Sequence, residues 1–177
     1  MIKSSEAMEK AAVMRTAEMI CAAARTAPKA KGIDHLKTCV LLDTDLEQLA
    51  VEMERLSEIY DYGFFKRDAG NVRESQAVVL IGTTEAKRGL NEGCGYCHFK
   101  NCGECTEHDG ACVYDAMDLG IAIGSAVSVA ADARVDSRVM FSVGRSAASL
   151  KLLGDDVNVV IGIPLSVSKK SPFFDRK

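Results

Sequence analysis

The chain has 177 residues, of which 47% are apolar and 27% are charged, values typical of one soluble globular domain that buries its own core. The net charge of −3 argues against nucleic-acid binding, because there is no basic excess to neutralise phosphates. Residues 1–10 lack the apolar core of a signal peptide, and the weakly polar run 119–131 is too short to span a bilayer. We therefore predict a cytoplasmic protein with neither a nucleic-acid nor a membrane partner.

The first half of the chain alternates helical and strand patterns. Apolar residues at helical spacing, with Ser4 or Ser5 as the cap and Pro28 beyond the end, predict the first helix. Thr44 and Glu47 have the spacing of a capping box, which predicts the start of the second helix. In chain order the predicted elements are a helix over 6–27, a strand over 38–42, a helix from 44 to about 60 and a strand over 75–81.

The second half begins with a segment rich in glycine, cysteine and charge, residues 82–112, which has little periodicity of either kind. The elements predicted after it are a helix over 113–133, a short strand at Val139 and Phe141, a helix over 146–153, a strand over 157–163 and a basic, aromatic tail over 168–177. This order predicts one α+β or α/β domain over residues 1–177, interrupted by a cysteine-rich insert at 82–112.

Five of the seven cysteines lie in that insert: Cys94, Cys97, Cys102, Cys105 and Cys112. Thiolates this close together serve a metal, a cluster or a redox couple far more often than they serve packing. In a reducing compartment, an odd cysteine count with tight clustering fits metal binding better than disulfides. The insert is therefore the predicted functional site.

The cysteine spacing is compatible with two kinds of iron–sulfur cluster. Cys94-x2-Cys97-x4-Cys102 places three thiolates on a compact loop, with Cys112 or Cys105 as the fourth ligand of a four-iron cluster. Glycines 93, 95 and 103 would permit the positive φ angles of such a loop. The alternative register, Cys97-x4-Cys102-x2-Cys105, matches plant-type two-iron ferredoxins.

Zinc held by two Cys-x2-Cys pairs is the main alternative to iron, and a redox disulfide is a further one. The loop between the two pairs is shorter than is usual for zinc knuckles, which favours the cluster. His98 and His108 are interpreted as solvated loop residues. Cys21 and Cys39 are interpreted as small core side chains on a helix and a strand.

The segment Cys94-Gly95-Tyr96-Cys97-x4-Cys102 resembles the small four-iron domain of electron-transport complex subunits and of corrinoid proteins associated with carbonyl dehydrogenases. This resemblance implies a four-iron rather than a two-iron cluster. In that domain the fourth cysteine follows farther downstream than Cys112 does here, and Cys105 is an additional thiol.

The segment Ala22-Ala-Ala-Arg25-Thr-Ala27-Pro28-Lys-Ala30 resembles the motif that ends a helix in the nitroreductase family. The resemblance extends in order over about three-quarters of the chain, with the cysteine segment inserted. The combination is also similar to a family of ferredoxin-domain proteins from anaerobic bacteria and archaea. It implies a mixed sheet flanked by helices.

The nitroreductase resemblance further implies a homodimer that binds FMN at the subunit interface. A flavin phosphate is best bound by cationic side chains. The resemblance implies that Arg25, Lys29 and Lys31 lie near the flavin or its phosphate. It also suggests further phosphate contacts from the tail residues, which are Lys169, Lys170 and Arg176. The leading hypothesis is an iron–sulfur electron-transfer protein with an unidentified redox partner, and an FMN-dependent oxidoreductase if it is an enzyme. The alternative is a non-catalytic module whose cysteine loop is stabilised by zinc or a cluster.

Overall fold

The computed structural model describes residues 2–174, and within that range it has six α-helices and one four-stranded sheet. This architecture confirms the predicted α+β class. In chain order the elements are α1 (Ser5–Thr26), β1 (Leu36–Leu41), α2 (Thr44–Tyr60), α3 (Gly63–Arg73), β2 (Ala77–Thr84), α4 (Cys102–Glu107), α5 (Val113–Asp132), β3 (Asp136–Ser137), α6 (Phe141–Ser149) and β4 (Val157–Ser166), with 3-10 turns at Ala30–Gly32 and Asn91–Gly93.

The strands lie in the order β1-β2-β4-β3, and every neighbouring pair is antiparallel, where the resemblance implied a mixed sheet. The first pair is antiparallel because α2 and α3 pack as a hairpin that returns the chain to the end of the sheet where β1 finished. Pairing of Leu36 with Thr83 and of Thr84 with Val157 defines one end of the sheet, named here the cysteine end. Pairing of Ala77 with Leu165 defines the opposite end, the tail end.

Two apolar layers enclose the sheet. Val79 and Ile81 face α1 and α5 on one side, whereas Val78 and Leu80 face α2, α3 and α6 on the other. Adjacent strand residues point to opposite faces, so a strand covered on both sides is apolar throughout. Accordingly, β2 is buried from Ala77 to Thr83.

The two predicted helix caps had different outcomes. The Ser4 hydroxyl accepts a hydrogen bond from the Ala7 amide at 3.2 Å, which confirms the cap of α1. The capping box at Thr44 is wrong, because Thr44 is already the first helical residue of α2 and Asp43 occupies the cap position without a side-chain bond. A left-handed φ of 47° at Asp43 turns the chain one residue earlier than predicted.

Two helices depart from the sequence prediction. Helix α3 was missed within a polar stretch, although Phe65, Ala69 and Val72 bury one face at helical spacing. The strand predicted at Val139 and Phe141 is wrong, because only Met140 forms a bridge, to Gly162, and α6 begins directly afterwards.

Helix α5 is long and apolar enough, by length and composition, to cross a membrane, and it is the one described helix that meets this test. A core helix of a soluble protein has the same properties. Here the buried face of α5 packs against α1 through small side chains, which are Ala122, Ala126 and Ala130.

Candidate metal centre

The cysteine loop, residues 85–112, connects the end of β2 to the start of α5. It contains one 3-10 turn and the short helix α4, and its path is otherwise set by tight turns. Gly95 has the positive φ predicted for it, 66°, but Gly93 and Gly103 do not. Asn91 and His98 adopt left-handed backbone instead, a region in which asparagine and histidine occur more often than most residues with a side chain.

Four of the five loop cysteines line one cavity, and these are Cys94, Cys97, Cys102 and Cys112. The space that no atom occupies between the lining residues measures about 340 Å³ and includes open solvent.

Cys105 does not line the cavity. Its side chain is 1% exposed, and its Sγ donates to the carbonyl oxygen of Gly110 at 3.2 Å. Burial, with a side-chain hydrogen bond to Cys97, raises the pKa of the Cys105 thiol. Lys87 Nζ donates to the same Gly110 carbonyl, so Cys105 and Lys87 together hold the turn before Cys112.

The arrangement of the cysteines bears on whether the loop holds a single metal ion or a cluster. A tetrahedral zinc site with Zn–S bonds of about 2.3 Å keeps its sulfurs about 3.8 Å apart. Within residues 2–174, no three His, Cys, Asp or Glu side chains are gathered closely enough to hold one ion. A cubane cluster binds each thiolate through a different iron, so its ligands stand farther apart around a common centre. The donor set lining the cavity, four cysteines, is chemically that of a four-iron cluster, which takes one thiolate at each iron.

Aromatic side chains form the rest of the cavity wall. The rings of Tyr96 and Tyr114 stack with centroids 5.8 Å apart, and Phe99 also lines the cavity. Burial, with the nearby charge of Cys94, raises the pKa of Tyr114, so its hydroxyl remains a donor at neutral pH. The two loop histidines lie outside the cavity lining, His98 being exposed and His108 stacking on Phe99.

A buried ionic network anchors the loop to the two core helices beside it. Arg88 is 2% exposed, and its Nη2 donates to Asp118 at 2.7 Å. Its Nη1 lies 2.9 Å from Asp115 Oδ1 as an ion pair. Asp118 also accepts from the amide of Ala30 at 3.0 Å, and Asp115 accepts from the amide of Ala86 at 3.1 Å. The network thus joins the start of α5, the end of α1 and the first residues of the loop.

The sequence reasoning missed Arg88, Asp115 and Asp118. A usable signal was present, since the two aspartates stand three positions apart on an otherwise small and apolar helix. Residues three apart share a helix face, and two carboxylates on a helix face that packs into a core require a cation nearby.

The three predicted flavin cations in and after the last turn of α1 lie at the cysteine end, and two of them have partners within the chain. Arg25 donates to Asp34 at 2.5 Å. Lys29 is 5% exposed and donates to the carbonyl of Ala24 at 2.8 Å, so it caps the end of α1. Lys31 is exposed in left-handed backbone and approaches the loop at Gly89.

The predicted tail cations lie at the tail end. Lys169 and Lys170 are exposed and follow β4, whereas Arg176 lies outside the described residues. The seven steps from Ala77 to Thr84 span about 24 Å at 3.4 Å per residue. In one chain, therefore, the structure does not bring the tail cations together with Arg25, Lys29 and Lys31.

The two remaining cysteines lie in the scaffold, outside the loop. Cys21 packs against the core beneath α1 and α5, and Cys39 packs against the core on the opposite face of the sheet. These are the core positions predicted for them.

Comparison with known sequences identifies two matches. The profile of a family described as uncharacterized proteins containing a ferredoxin domain (DUF2148) matches residues 108–176, a stretch that includes Cys112 but not the other loop cysteines. An uncharacterized protein of Archaeoglobus fulgidus is 37% identical over 184 residues, which cover 99% of this chain and 98% of the relative. That alignment therefore extends over the cysteine loop.

Comparison with solved structures identifies the fold. Nitroreductase CinD from Lactococcus lactis, solved in complex with chloramphenicol, matches with a TM-score of 0.61 and 12% identity over 96% of this chain and 81% of that one. A Desulfovibrio desulfuricans protein, assigned as a nitroreductase and solved with FMN, matches with a TM-score of 0.59 and 14% identity over 92% and 78% of the two chains. Identity this low shows the fold alone, and that fold is nitroreductase-like, as the sequence resemblance predicted.

Proposed function

The chain belongs to the family of uncharacterized proteins containing a ferredoxin domain, and on that premise we propose that it is an iron–sulfur protein that transfers electrons. The observation that carries this proposal is the set of four cysteines around one cavity, Cys94, Cys97, Cys102 and Cys112. Four thiolates are the complete ligand set of a four-iron cluster. A redox role in general agrees with both the family and the fold.

In this proposal Cys112 is the fourth ligand and Cys105 is a structural residue. Cys112 lines the cavity and occupies the N-cap position of α5, where the helix dipole favours negative charge. Cys105 is buried against Gly110, on which a Cβ atom would come within 2.5 Å of Phe99 and 3.0 Å of the Cys105 sulfur. The first register, and with it a four-iron cluster, is therefore favoured over the two-iron register.

A bound cluster supplies one-electron transfer at a potential set by its surroundings. The residues of the chain would hold it at the cysteine end and limit its contact with water. Tyr96 and Tyr114 form a stacked wall on one side. The network of Arg88 with Asp115 and Asp118 fixes the start of the loop to α5, and Cys112 stands at the N-terminal end of that same helix.

Flavin binding extends the proposal to an FMN-dependent oxidoreductase. Arg25, Lys29 and Lys31 lie at the same end of the sheet as the cysteines, so a flavin bound there would lie beside the cluster. The tail cations are about 24 Å away along the sheet. One flavin could contact both groups only if Lys169 and Lys170 came from a second chain.

The same reasoning leads us to propose a homodimer packed through the outer face of α5. Met117 and Ile121 are 43% and 45% exposed there, and nothing lies within 4 Å of a Cβ atom built on Gly120 or Gly124. A second backbone could approach this face closely. Light scattering should give twice the chain mass of 19.0 kDa, and a monomer mass would contradict the dimer.

We further propose a cytoplasmic location and an unidentified redox partner, with neither nucleic acid nor membrane as a partner. The negative net charge and the clustered thiolates support this assignment.

The second candidate is a non-catalytic module whose loop holds a cluster or zinc for stability or docking. The observation that favours it is the engagement of Arg25 with Asp34 and of Lys29 with the end of α1. Cations already paired within the chain are less available to a flavin phosphate. Flavin in the purified protein would favour the oxidoreductase, and stoichiometric zinc without flavin would favour the module.

The deciding experiment is anaerobic purification followed by assay of iron, acid-labile sulfide, zinc and flavin. We expect about four irons and four sulfides per chain. Cys94→Ser, Cys97→Ser, Cys102→Ser and Cys112→Ser should each lose the cluster.

Cys105→Ser is the matched control, because the serine hydroxyl can still donate to Gly110, and it should retain most of the iron. Full iron content in Cys112→Ser with loss in Cys105→Ser would reverse the assignment of the fourth ligand. Wild-type protein that contains no iron would refute the proposal.

A further inference from the structure

Arg88 is the only charged residue that lines the cysteine cavity within the described part of the chain. Its guanidinium is buried, and the terminal nitrogens have partners. Nη1 donates to the carbonyl of Ala86 at 2.9 Å and pairs with Asp115, and Nη2 donates to Asp118. The side chain is therefore held in one orientation.

The Nε atom of Arg88 is different. It is buried and has no hydrogen-bond partner among residues 2–174. Buried polar groups are usually hydrogen-bonded, so an unpaired buried N–H requires an explanation, and a bound ligand that accepts the bond is one. Arg88 also lies close enough to Cys112 for their charges to interact. The unpaired donor thus belongs to a residue of the cavity wall, close to a proposed ligand.

We propose that the Nε–H of Arg88 donates a hydrogen bond to a sulfur atom of the bound cluster and thereby raises its reduction potential. The inference rests on the proposed function, since it requires the cluster. Reduction places more negative charge on the cluster sulfurs, so a donor aimed at sulfur stabilises the reduced form more than the oxidised one.

The ionic network of Arg88 determines how this donor can act on the cluster. The two aspartates together exceed the positive charge of Arg88, so a rise in the reduction potential would come from the directed N–H and not from a net positive charge. Asp118 is itself fixed by the amide of Ala30, and Asp115 by that of Ala86. Arg88 is therefore a positioning and tuning residue, not a ligand.

The test uses anaerobically purified protein whose arginines carry ¹⁵N in the guanidinium group. After one-electron reduction, pulsed paramagnetic resonance should detect hyperfine coupling between the cluster and an arginine nitrogen. This measurement requires no substitution and no partner. A cluster without such coupling would overturn this inference and leave the proposed function intact, whereas protein without iron would overturn both.

Two variants provide the second measurement. Arg88→Lys keeps the charge but removes Nε–H, and it should lose the arginine coupling and shift the one-electron reduction equilibrium about tenfold toward the oxidised form, or about 59 mV lower. Lys87→Gln removes a neighbouring positive charge that does not line the cavity, and it should shift the potential less. An equal or larger shift in Lys87→Gln would mean that net charge, not the directed bond, sets the potential, and would overturn the inference.

Discussion

The scaffold and the cysteine loop are stabilised by different means. The scaffold buries apolar side chains in two clusters on both faces of the sheet, whereas the loop, residues 85–112, buries only Arg88 and Cys105 among its residues. Hydrophobic burial can therefore specify the scaffold but not the loop. The loop depends on polar contacts and, in our proposal, on the group that it binds, because metal-site binding energy contributes directly to folding.

The largest predicted effect on stability comes from a substitution in the scaffold. A Cβ atom on Gly144 would overlap the backbone carbonyl of Val160, because α6 lies directly on β4. We expect Gly144→Ala to lower the free energy of unfolding by about 3 kcal/mol or more, through overpacking that neither backbone can relieve. Denaturant titration followed by circular dichroism measures this change.

The control for this variant is Gly70→Ala, in the interior of α3, where nothing lies within 4 Å of the added atom. It should stabilise the protein by about 0.5 kcal/mol or more, because alanine is the better helix former. Equal destabilisation by both variants would show that α6 is not packed on β4 as described.

A smaller effect is expected at the joint between scaffold and loop. Asp118→Ala removes the partner of both Arg88 and the Ala30 amide, and we expect a loss of about 2 kcal/mol from two donors left buried. Asp132→Ala, at the exposed end of the same helix, should change stability by less than about 0.5 kcal/mol. If Asp118→Ala had no more effect than Asp132→Ala, the network would not anchor the loop.

A further expected effect concerns the reactivity of a thiol in the scaffold. Burial, with added contributions from Cys21 and Asp45, raises the pKa of Cys39 to about 11. In metal-free protein at pH 8, Cys39 should react with iodoacetamide about 100-fold more slowly than a thiol of pKa near 9. Mass spectrometry of the labelled peptides gives the rates, with the same peptide in urea as the control.

The same pKa predicts a dependence of stability on pH. The folded protein favours the protonated form of the Cys39 thiol. This preference therefore contributes fully to the free energy of unfolding below the unfolded pKa near 9, and the contribution is lost as the pH rises through about 11. Cys39→Ala should flatten the stability curve over that interval. If the stability of this variant fell with pH as steeply as that of the wild type, groups other than Cys39 would account for the loss of stability at alkaline pH.

The sequence predicted the elements whose patterns are local. Helices α1 and α5 and strand β4 follow from apolar periodicity and from the residues that cap or end each element. The spacing of the cysteines predicts Cys94, Cys97 and Cys102 as ligands and leaves Cys105 and Cys112 as alternatives for the fourth. Helix α3 was missed because its apolar face is short and interrupted by charge. The start of α6 was missed because it depends on the close approach of Gly144 to β4, which is a tertiary contact.

The network around Arg88 illustrates a different limit. Ala30 and Asp118 are 88 residues apart in the chain and meet only because α1 ends where α5 begins. Likewise, the choice between Cys105 and Cys112 rests on which thiol points toward Gly110 and which toward the cavity. By spacing along the chain, either cysteine could be the fourth ligand, and only the folded loop distinguishes them.

The position of β2 has a consequence for amide hydrogen exchange. The strand is paired on both sides, with β1 and β4, and is covered on both faces. Its amide protons should exchange with deuterium only when the whole domain opens. The exchange rate of β2 would then report the global stability, while protection gained within residues 85–112 on loading with iron would report the binding event separately in the same spectrum.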